Sequence, residues 1–164
     1  AEMLKAAEVK AAREKLPISF HRAQADSLPF ASQSFDLVVG VTLLCFAEQP
    51  DLILREANRL LKDSGRIVVG ELNRLSYWSR LRKAKALFHE TSYRHAHFLS
   101  PSELKQLLWQ AGFAVRGNET RIFFPPTNWS PVLKQYSLFE RAGGALFPSH
   151  GAFVGMKADK QLLC

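Results

Sequence analysis

The apolar residues of this chain follow two spacings, one typical of buried strands and one typical of helices. Phe35–Val41 and Arg66–Leu72 are runs dominated by apolar residues, as a strand buried on both faces requires. Between them, residues 50–61 carry an apolar stripe at helical spacing, formed by Leu52, Ile53, Ala57 and Leu60. The middle of the chain therefore predicts a strand, a helix and a second strand.

Similar patterns extend to both sides of this unit. Ahead of it, Ala1–Leu16 has helical spacing, and Ile18–Arg22 alternates apolar and polar residues as a short strand does. Behind it, Ser100 and Glu103 have the spacing of a capping box and open a predicted helix that stops at Gly112. Further elements are predicted at three places: strands over 113–124 and 151–157, and a helix over 133–141.

Length and composition agree with one globular domain. Domains of roughly 100–150 residues are the commonest. The 164 residues are 47% apolar and 23% charged, close to the globular average. Buried strands that alternate with amphipathic helices predict an α/β fold, with a mostly parallel sheet covered by helices on both faces. We therefore expect a single domain over residues 1–164.

Neither a membrane span nor a disulfide framework is predicted. The longest apolar stretch, Leu37–Phe46, has about half of the roughly 20 residues that a spanning helix needs. No charged and apolar leader opens the chain, and its two cysteines, Cys45 and Cys164, lie far apart. We expect a cytoplasmic protein in which Cys45, inside an apolar run, is a buried structural thiol and not a nucleophile.

Much of the net charge of +7 lies in one segment, residues 73–98. Its cations are Arg74, Arg80, Arg82, Lys83, Lys85 and Arg94, against a single acidic residue, Glu90. They are interleaved with aromatic residues: Tyr77, Trp78, Phe88, Tyr93 and Phe98. A positive charge attracts nucleic acid, anionic lipid or an acidic substrate, and composition alone does not choose among them.

Several motifs in a fixed order carry a resemblance to a known family. They are Ala25-Asp26-Ser27-Leu28-Pro29-Phe30, Ser34-Phe35-Asp36-Leu37-Val38-Val39, Arg55-Glu56-Ala57-Asn58-Arg59-Leu60-Leu61-Lys62 and Gly65-Arg66-Ile67-Val68-Val69, then Gln110-Ala111-Gly112-Phe113 and Gly151-Ala152-Phe153-Val154. Together they resemble class I S-adenosylmethionine-dependent methyltransferases, in the subgroup that includes ubiquinone and menaquinone biosynthesis methyltransferases. The resemblance implies a Rossmann-like sheet with the strand order three-two-one-four-five-seven-six, and S-adenosylmethionine as cofactor.

The resemblance also implies where the cofactor lies. In open parallel sheets, ligands bind beyond the carboxyl ends of the strands, and Asp26 follows the predicted strand Ile18–Arg22. The family implies that Asp26 accepts a hydrogen bond from the adenine amino group, with Ala25 and Ser27 presenting backbone beside the ring. It also implies contacts near the methionine part from Gly40, Val41 and Thr42. From the residues alone, Asp26 also fits a turn cap, and the Thr42 hydroxyl a backbone contact at the strand end.

One part of the family's cofactor site has no counterpart in this sequence. Family members carry a Gly-x-Gly-type turn and an acidic residue for the ribose hydroxyls upstream of these motifs. The glycines Gly143, Gly144 and Gly151 lie near the other end of the chain and cannot replace that turn. We therefore expect a longer natural protein, of which this chain lacks the first two strands. Such a chain is expected to have a bare sheet edge, and with it a tendency to form homo-oligomers.

The segment 73–98 occupies the place where the family varies its substrate cover, and we call it the lid segment. Methyl transfer needs an aligned acceptor in a dry pocket and no invariant base. A small-molecule acceptor is predicted, with these candidate substrate residues: Tyr77, Trp78, His89, His95 and His97. The three histidines are also the candidate bases. No metal site is predicted, because His95 and His97 lack a third ligand.

Two other functions fit the sequence. Cations interleaved with aromatic rings suit nucleic acid. However, methyltransferases that act on base amino groups carry an Asp/Asn-Pro-Pro-aromatic motif, and Gly40-Val41-Thr42-Leu43 stands in its place after Val39. The other alternative is a non-catalytic remnant or binding module that keeps the fold without the cofactor. For the lid segment itself, a solvated amphipathic helix without a ligand also stays open.

Overall fold

The computed structural model describes residues 2–88, 93, 96–123 and 134–161, without the side chains of 85–88. Its helices are α1 (Glu2–Arg13), α2 (Pro50–Leu60), α3 (Tyr77–Phe88), α4 (Pro101–Gln110) and α5 (Tyr136–Leu146). Its strands are β1 (Phe35–Val41), β2 (Leu61–Leu72), β3 (Phe113–Arg121) and β4 (Phe153–Lys160), and a single-turn 3-10 helix, Leu44–Phe46, follows β1. The strand, helix and strand predicted for the middle of the chain are confirmed.

The four strands form one mixed sheet in the order β1-β2-β4-β3. β1 and β2 are parallel, with Val38 opposite Ile67, whereas β4 runs antiparallel to both of its neighbours. The prediction of a mostly parallel sheet was wrong for the described strands, because the last strand enters between β2 and β3 in the opposite direction. The order matches the four-five-seven-six half of the Rossmann-like order that the resemblance implied, so that fold is confirmed.

The hydrophobic core lies between the sheet and the helices α2 and α4. Ile67 and Val69 of β2 are 2% and 1% exposed, since alternate strand residues point to one face. They pack in one cluster with buried residues of the helices and other strands: Leu54, Leu61, Leu104, Leu108, Phe113, Val154 and Met156. This packing fixes the carboxyl ends of β1 and β2 relative to α2.

β1 is covered on only one face by the described residues. Val38 packs against the core, whereas Leu37, Val39 and Val41 are 49%, 57% and 60% exposed. Among the described strands, β2 alone pairs with β1, so the other edge of β1 is bare. The prediction that Phe35–Val41 is buried on both faces was therefore wrong, because no described element covers these three side chains.

The strand predicted over Ile18–Arg22 does not form. Between helix α1 and strand β1, the described backbone makes only an isolated bridge between Gln24 and Ser27. A strand needs a neighbour whose N–H and C=O groups pair with its own, and no described strand lies beside this segment. The alternation of apolar and polar residues in Ile18–Arg22 supplies no such partner by itself.

Candidate functional site

The rim of the sheet turns sharply where β1 ends. Thr42 follows the strand with a φ of 53°, a left-handed conformation that is unfavourable for a β-branched residue. Its backbone N–H donates to the carbonyl oxygen of Gly70 in β2 at 2.7 Å. The chain then enters the 3-10 helix Leu44–Phe46. Such strained backbone persists only where neighbouring groups hold it in place.

Glu71 of β2 is the side chain that holds this turn. It is fully buried, and its Oε1 accepts hydrogen bonds from the backbone N–H groups of Leu43 and Leu44 at 3.0 and 2.8 Å. Its Oε2 accepts a third from the N–H of Cys45 at 3.3 Å. The first N–H groups of a helix have no partner within the helix. A buried carboxylate therefore satisfies three backbone donors at the turn that follows Gly40 and Thr42.

The side chain of Cys45 lies in the same buried region. Burial, and next the charge of Glu71, raise the pKa of the thiol to about 12. The thiol is therefore protonated at neutral pH and cannot act as a thiolate nucleophile. The prediction of a buried structural cysteine is confirmed, since Cys45 is 0% exposed.

The predicted adenine-side residues form a tight turn between α1 and β1. The N–H of Ser27 donates to the carbonyl oxygen of Gln24 at 3.2 Å, which closes the turn. Asp26 and Ser27 lie exposed at the turn, and Ala25 is half-buried. The carboxylate of Asp26 is therefore free of packing contacts that would prevent it from facing a ligand.

An apolar pocket of about 220 Å³ joins this turn to the end of β1. Ala25 lines it on one side and Gly40 on the other. The rest of its wall is mostly apolar, contributed by these side chains: Ala23, Leu28, Val38, Leu43, Ile53, Leu54 and Val69. Asp26 and Ser27 lie on outer grooves beside it, whereas Val41 and Thr42 do not line it. The structure thus brings two of the six predicted cofactor residues into one pocket and two more to its border.

Two residues of α2 clamp the segment that follows the turn. Glu56 accepts a hydrogen bond from the N–H of Leu28 at 2.8 Å and forms an ion pair of 2.7 Å with Arg59. Arg59 in turn donates to the carbonyl oxygens of Leu28 and Phe30, at 3.3 and 3.0 Å. The Arg59 hydrogen bonds, above all, and the bond from Leu28 lower the pKa of Glu56 to about 2. The adenine-side loop is therefore fixed to the helix α2.

The variant Glu56→Gln is expected to lower the free energy of unfolding by about 1–3 kcal/mol at pH 7. The pKa of Glu56 in the folded protein, about 2, lies below its ordinary value of 4.5. Its stabilising contribution is therefore complete above pH 4.5 and is lost as the pH falls towards 2. Urea unfolding of wild type and variant at pH 7 and pH 3 should show the difference shrinking at pH 3. Glu8→Gln, at an exposed position of α1, should show no such difference, and a gap that is constant with pH would contradict the assignment.

The lid segment is anchored at its start by a buried asparagine. Asn73 donates from Nδ2 to the carbonyl oxygens of Ser149 and Gly151, at 2.7 and 2.8 Å, and accepts from the N–H of Leu75 at 3.0 Å. Its own carbonyl oxygen accepts from the hydroxyls of Ser76 and Ser79 at 2.8 and 2.6 Å. The beginning of α3 is thus fixed to the loop that precedes β4.

Farther along the lid segment, α3 presents an arginine close to two aromatic rings. The guanidinium carbon of Arg82 lies 5.3 Å from the ring centroids of both Trp78 and Tyr93. Tyr93 contacts Phe46 of the 3-10 helix, with ring centroids 6.3 Å apart. Nη1 of Arg82 is buried and has no hydrogen-bond partner among the described residues. An unsatisfied buried donor costs about 1–3 kcal/mol.

The other predicted substrate residues are placed differently. Tyr77 is 62% exposed at the start of α3, whereas Trp78 contacts Arg82. His97 is exposed, and its backbone N–H donates to the carbonyl oxygen of Cys45 at 2.7 Å, next to the 3-10 helix. His89 and His95 lie outside the described residues.

Two kinds of feature are absent from the described part of the chain. It contains no group of three or more His, Cys, Asp or Glu side chains that could hold a metal ion. None of its helices is long and apolar enough to cross a membrane.

Three positioning residues were not singled out by the sequence analysis. Glu71 did carry a signal, because an acidic residue stands in an otherwise buried strand and must find donors. Glu56 and Arg59 lie within one of the motifs, and the structure shows what they contact, the loop beside Asp26.

The chain is similar in sequence to uncharacterised proteins and to methyltransferases. Residues 1–69 match the family described as "Methyltransferase domain". An uncharacterised protein of Methanocaldococcus jannaschii is 35% identical over 151 residues, which are 90% of this chain and 66% of that protein. A ubiquinone biosynthesis O-methyltransferase of Ruegeria pomeroyi is 26% identical over 143 residues, 84% of this chain and 55% of that protein.

The solved structure of a methyltransferase from Thermotoga maritima has the same fold. It is described as S-adenosylmethionine-dependent and a possible histamine N-methyltransferase, and it is 27% identical with a TM-score of 0.69. The similarity covers 93% of this chain and 69% of that one. Curated relatives are longer than the matched part, since the chain spans between 30% and 66% of their length.

Proposed function

We propose that this chain, which has the fold of class I methyltransferases and matches a methyltransferase family over residues 1–69, belongs to an enzyme that transfers the methyl group of S-adenosylmethionine to a small-molecule acceptor. The proposal assigns the adenine side to Ala25, Asp26 and Ser27. It assigns the methionine side to Gly40, Val41 and Thr42. The glycine-rich turn and the ribose-binding acid of such enzymes have no counterpart in the 164 residues, so the assignment covers these two sides only.

One observation carries the proposal: Ala25 and Gly40 line a single apolar pocket. These residues are 15 positions apart in the sequence, and the motif analysis placed them at opposite ends of the cofactor. An apolar pocket with a few polar groups at its border is the usual form of a small-molecule site. Its apolar walls suit a planar heterocycle, and the exposed carboxylate of Asp26 lies at the border where an amino group can donate to it.

The turn that follows β1 and the walls of the pocket suit a methyl transfer that depends on aligning the cofactor with the acceptor. When bound, S-adenosylmethionine supplies an electrophilic methyl group on a sulfonium. The fixed turn at Thr42 would hold the methionine side of the cofactor, and holding both reactants in place can supply much of the rate of such a transfer. The apolar walls exclude water. Among the described residues, His97 is the candidate that could accept a proton from the acceptor, since it lies beside the 3-10 helix.

The adenine assignment is tested by Asp26→Ala. Loss of one hydrogen bond to a carboxylate is expected to weaken the binding of S-adenosylhomocysteine about tenfold, as measured by calorimetric titration of the protein. The matched control is Asp36→Ala, because Asp36 is also exposed but lies at the amino end of β1, where it pairs with Lys62 at 2.8 Å. The control should bind as wild type does. Equal affinities of wild type and Asp26→Ala would refute the assignment.

The same titration separates the rival functions. A non-catalytic remnant or binding module predicts no heat of S-adenosylhomocysteine binding by the wild type. A nucleic-acid methyltransferase predicts binding of the cofactor and, in addition, salt-dependent binding of oligonucleotides. The similarity to the Ruegeria pomeroyi enzyme supports a quinone precursor as the first small molecule to assay as acceptor.

A further inference from the structure

We propose that Arg82 binds an anionic group, a carboxylate or a phosphate, on the methyl acceptor. The inference rests on the proposed function, because it names the chemical class of that acceptor. It assigns Arg82 as a specificity-determining residue of the lid segment. The inference therefore assigns a binding role to one cation of α3, whereas the net charge of the chain assigns a role to no particular residue.

Two aromatic rings are neighbours of the Arg82 guanidinium. Trp78 and Arg82 are four residues apart on α3 and therefore share one face of the helix. Both Trp78 and Tyr93 lie 5.3 Å from the guanidinium carbon. Aromatic rings attract the flat faces of a guanidinium, whereas its N–H donors point outward in the plane of the group. The rings thus orient Arg82 without using those donors.

The buried atom Nη1 of Arg82 lacks a hydrogen-bond acceptor among the described residues. Buried donors, by contrast, are nearly always paired. Neighbouring rings also exclude water, which strengthens an ion pair formed there. An oxyanion suits this fork of donors best, because a carboxylate or phosphate can accept two parallel N–H bonds from one guanidinium.

The other cations near Arg82 whose side chains the structure describes are engaged or exposed. Arg74 pairs with Glu103 at 2.8 Å, and the Nζ of Lys83 lies 5.7 Å from the centroid of the Phe98 ring. Arg80 is exposed. Among these residues, only Arg82 has a buried nitrogen without a hydrogen-bond partner. Anion binding is therefore assigned to Arg82 and not to the summed charge of the lid segment.

Arg82 is also connected, through Tyr93, to the end of β1, where the methionine part of the cofactor is proposed to bind. Tyr93 packs with Phe46 and against the buried cluster of Cys45, Ala96 and Phe98. Cys45 and Phe46 belong to the 3-10 helix, which starts two residues after Thr42. An acceptor held by Arg82 at one end would therefore extend towards the predicted methionine side, with its apolar body near the rings of Tyr93 and Phe46.

The test compares three probes that share a phenyl ring: benzoate, phenyl phosphate and the neutral benzamide. Dissociation constants are measured by ligand-observed NMR titration of the protein with S-adenosylhomocysteine present. We expect the wild type to bind benzoate or phenyl phosphate at least tenfold more tightly than benzamide. The better of the two anions identifies the group as a carboxylate or a phosphate.

Two variants locate the effect. Arg82→Gln should remove the preference for the anions, while Arg80→Gln, which removes the same charge from an exposed position of α3, should keep it. Arg82→Lys keeps the charge and the ring contacts but loses the planar fork, so it should retain only part of the preference. It also serves as the test if the glutamine variant fails to fold.

Each result has a distinct meaning. Equal affinity of the wild type for benzoate and benzamide overturns the inference, and so does a preference that Arg82→Gln and Arg82→Lys leave unchanged. Binding of single-stranded RNA that Arg82→Gln abolishes, without any anion preference among the probes, also overturns it in favour of a nucleic-acid surface. S-adenosylhomocysteine affinity is recorded for every variant. If the wild type does not bind S-adenosylhomocysteine, the proposed function is wrong. If it binds S-adenosylhomocysteine but shows no preference for the anions, only this inference is wrong.

Discussion

Glu71→Gln is expected to lower the free energy of unfolding by about 2–4 kcal/mol. The substitution keeps the shape of the side chain but replaces one carboxylate oxygen with an NH₂ group. In one orientation of the amide that NH₂ faces the backbone N–H of Cys45, and in the other it faces those of Leu43 and Leu44, all of which donate to Glu71 in the wild type. At least one buried donor then loses its acceptor, and two donors point at each other.

The same variant is expected to weaken S-adenosylhomocysteine binding, because the turn that carries Gly40 and Thr42 is no longer fixed. Thr42 holds a left-handed conformation that only its surroundings maintain. Urea denaturation and calorimetric titration measure the two effects. Glu119→Gln is the control, since Glu119 also lies in a strand but is exposed and pairs with Arg121. A Glu71→Gln protein as stable as this control would contradict the role given to the carboxylate.

Asn73→Asp is expected to destabilise the protein more strongly, by about 3–5 kcal/mol. Glu71→Gln replaces an accepting oxygen with an NH₂ group, whereas Asn73→Asp replaces a donating NH₂ group with an oxygen. Nδ2 of Asn73 donates to the carbonyl oxygens of Ser149 and Gly151. The new carboxylate would face two carbonyl oxygens in a fully buried place, and the N–H of Leu75 would be the one donor left to it among the contacts of Asn73 named above.

The loss should also change the position of α3, because Asn73 joins the start of the lid segment to the loop before β4. Thermal unfolding gives the stability, and protease cleavage within α3 reports its attachment. Asn118→Asp is the matched control at an exposed position of β3 and should change neither. If Asn73→Asp resembled Asn118→Asp in both measurements, the anchor would not exist.

The sequence allowed prediction of those features that depend on neighbouring residues. The helix α2, the strands β1 and β2, and the capping box of Ser100 and Glu103 follow local patterns, and the structure has all of them. The predicted stripe of α2 was wrong at Leu52, which is 38% exposed, whereas its neighbour Leu54 is buried. Ala25 and Gly40 were found by motif, and they meet in one pocket. Periodicity and motif are sufficient in these cases because each involves residues that are close in the chain.

Long-range polar contacts could not be predicted in the same way. Glu71 binds N–H groups 26 to 28 residues earlier in the chain, and Asn73 binds carbonyl groups 76 and 78 residues later. A buried polar residue in an apolar run signals that a partner exists, but not which one. The failed strand at Ile18–Arg22 has a related cause, since strand formation depends on a neighbour and not on alternation alone.

Two separate sets of hydrogen bonds attach the two sides of the pocket to different elements. Glu56 and Arg59 fix the loop beside Asp26 to α2, whereas Glu71 fixes the turn at Thr42 to β2. The width of the opening between them is then set by how closely α2 packs on the sheet, through buried residues such as Leu54 and Ala57. A change of volume at those core positions would tune cofactor affinity at a distance, and laboratory evolution for altered affinity should select substitutions there, among residues that face the protein's own interior.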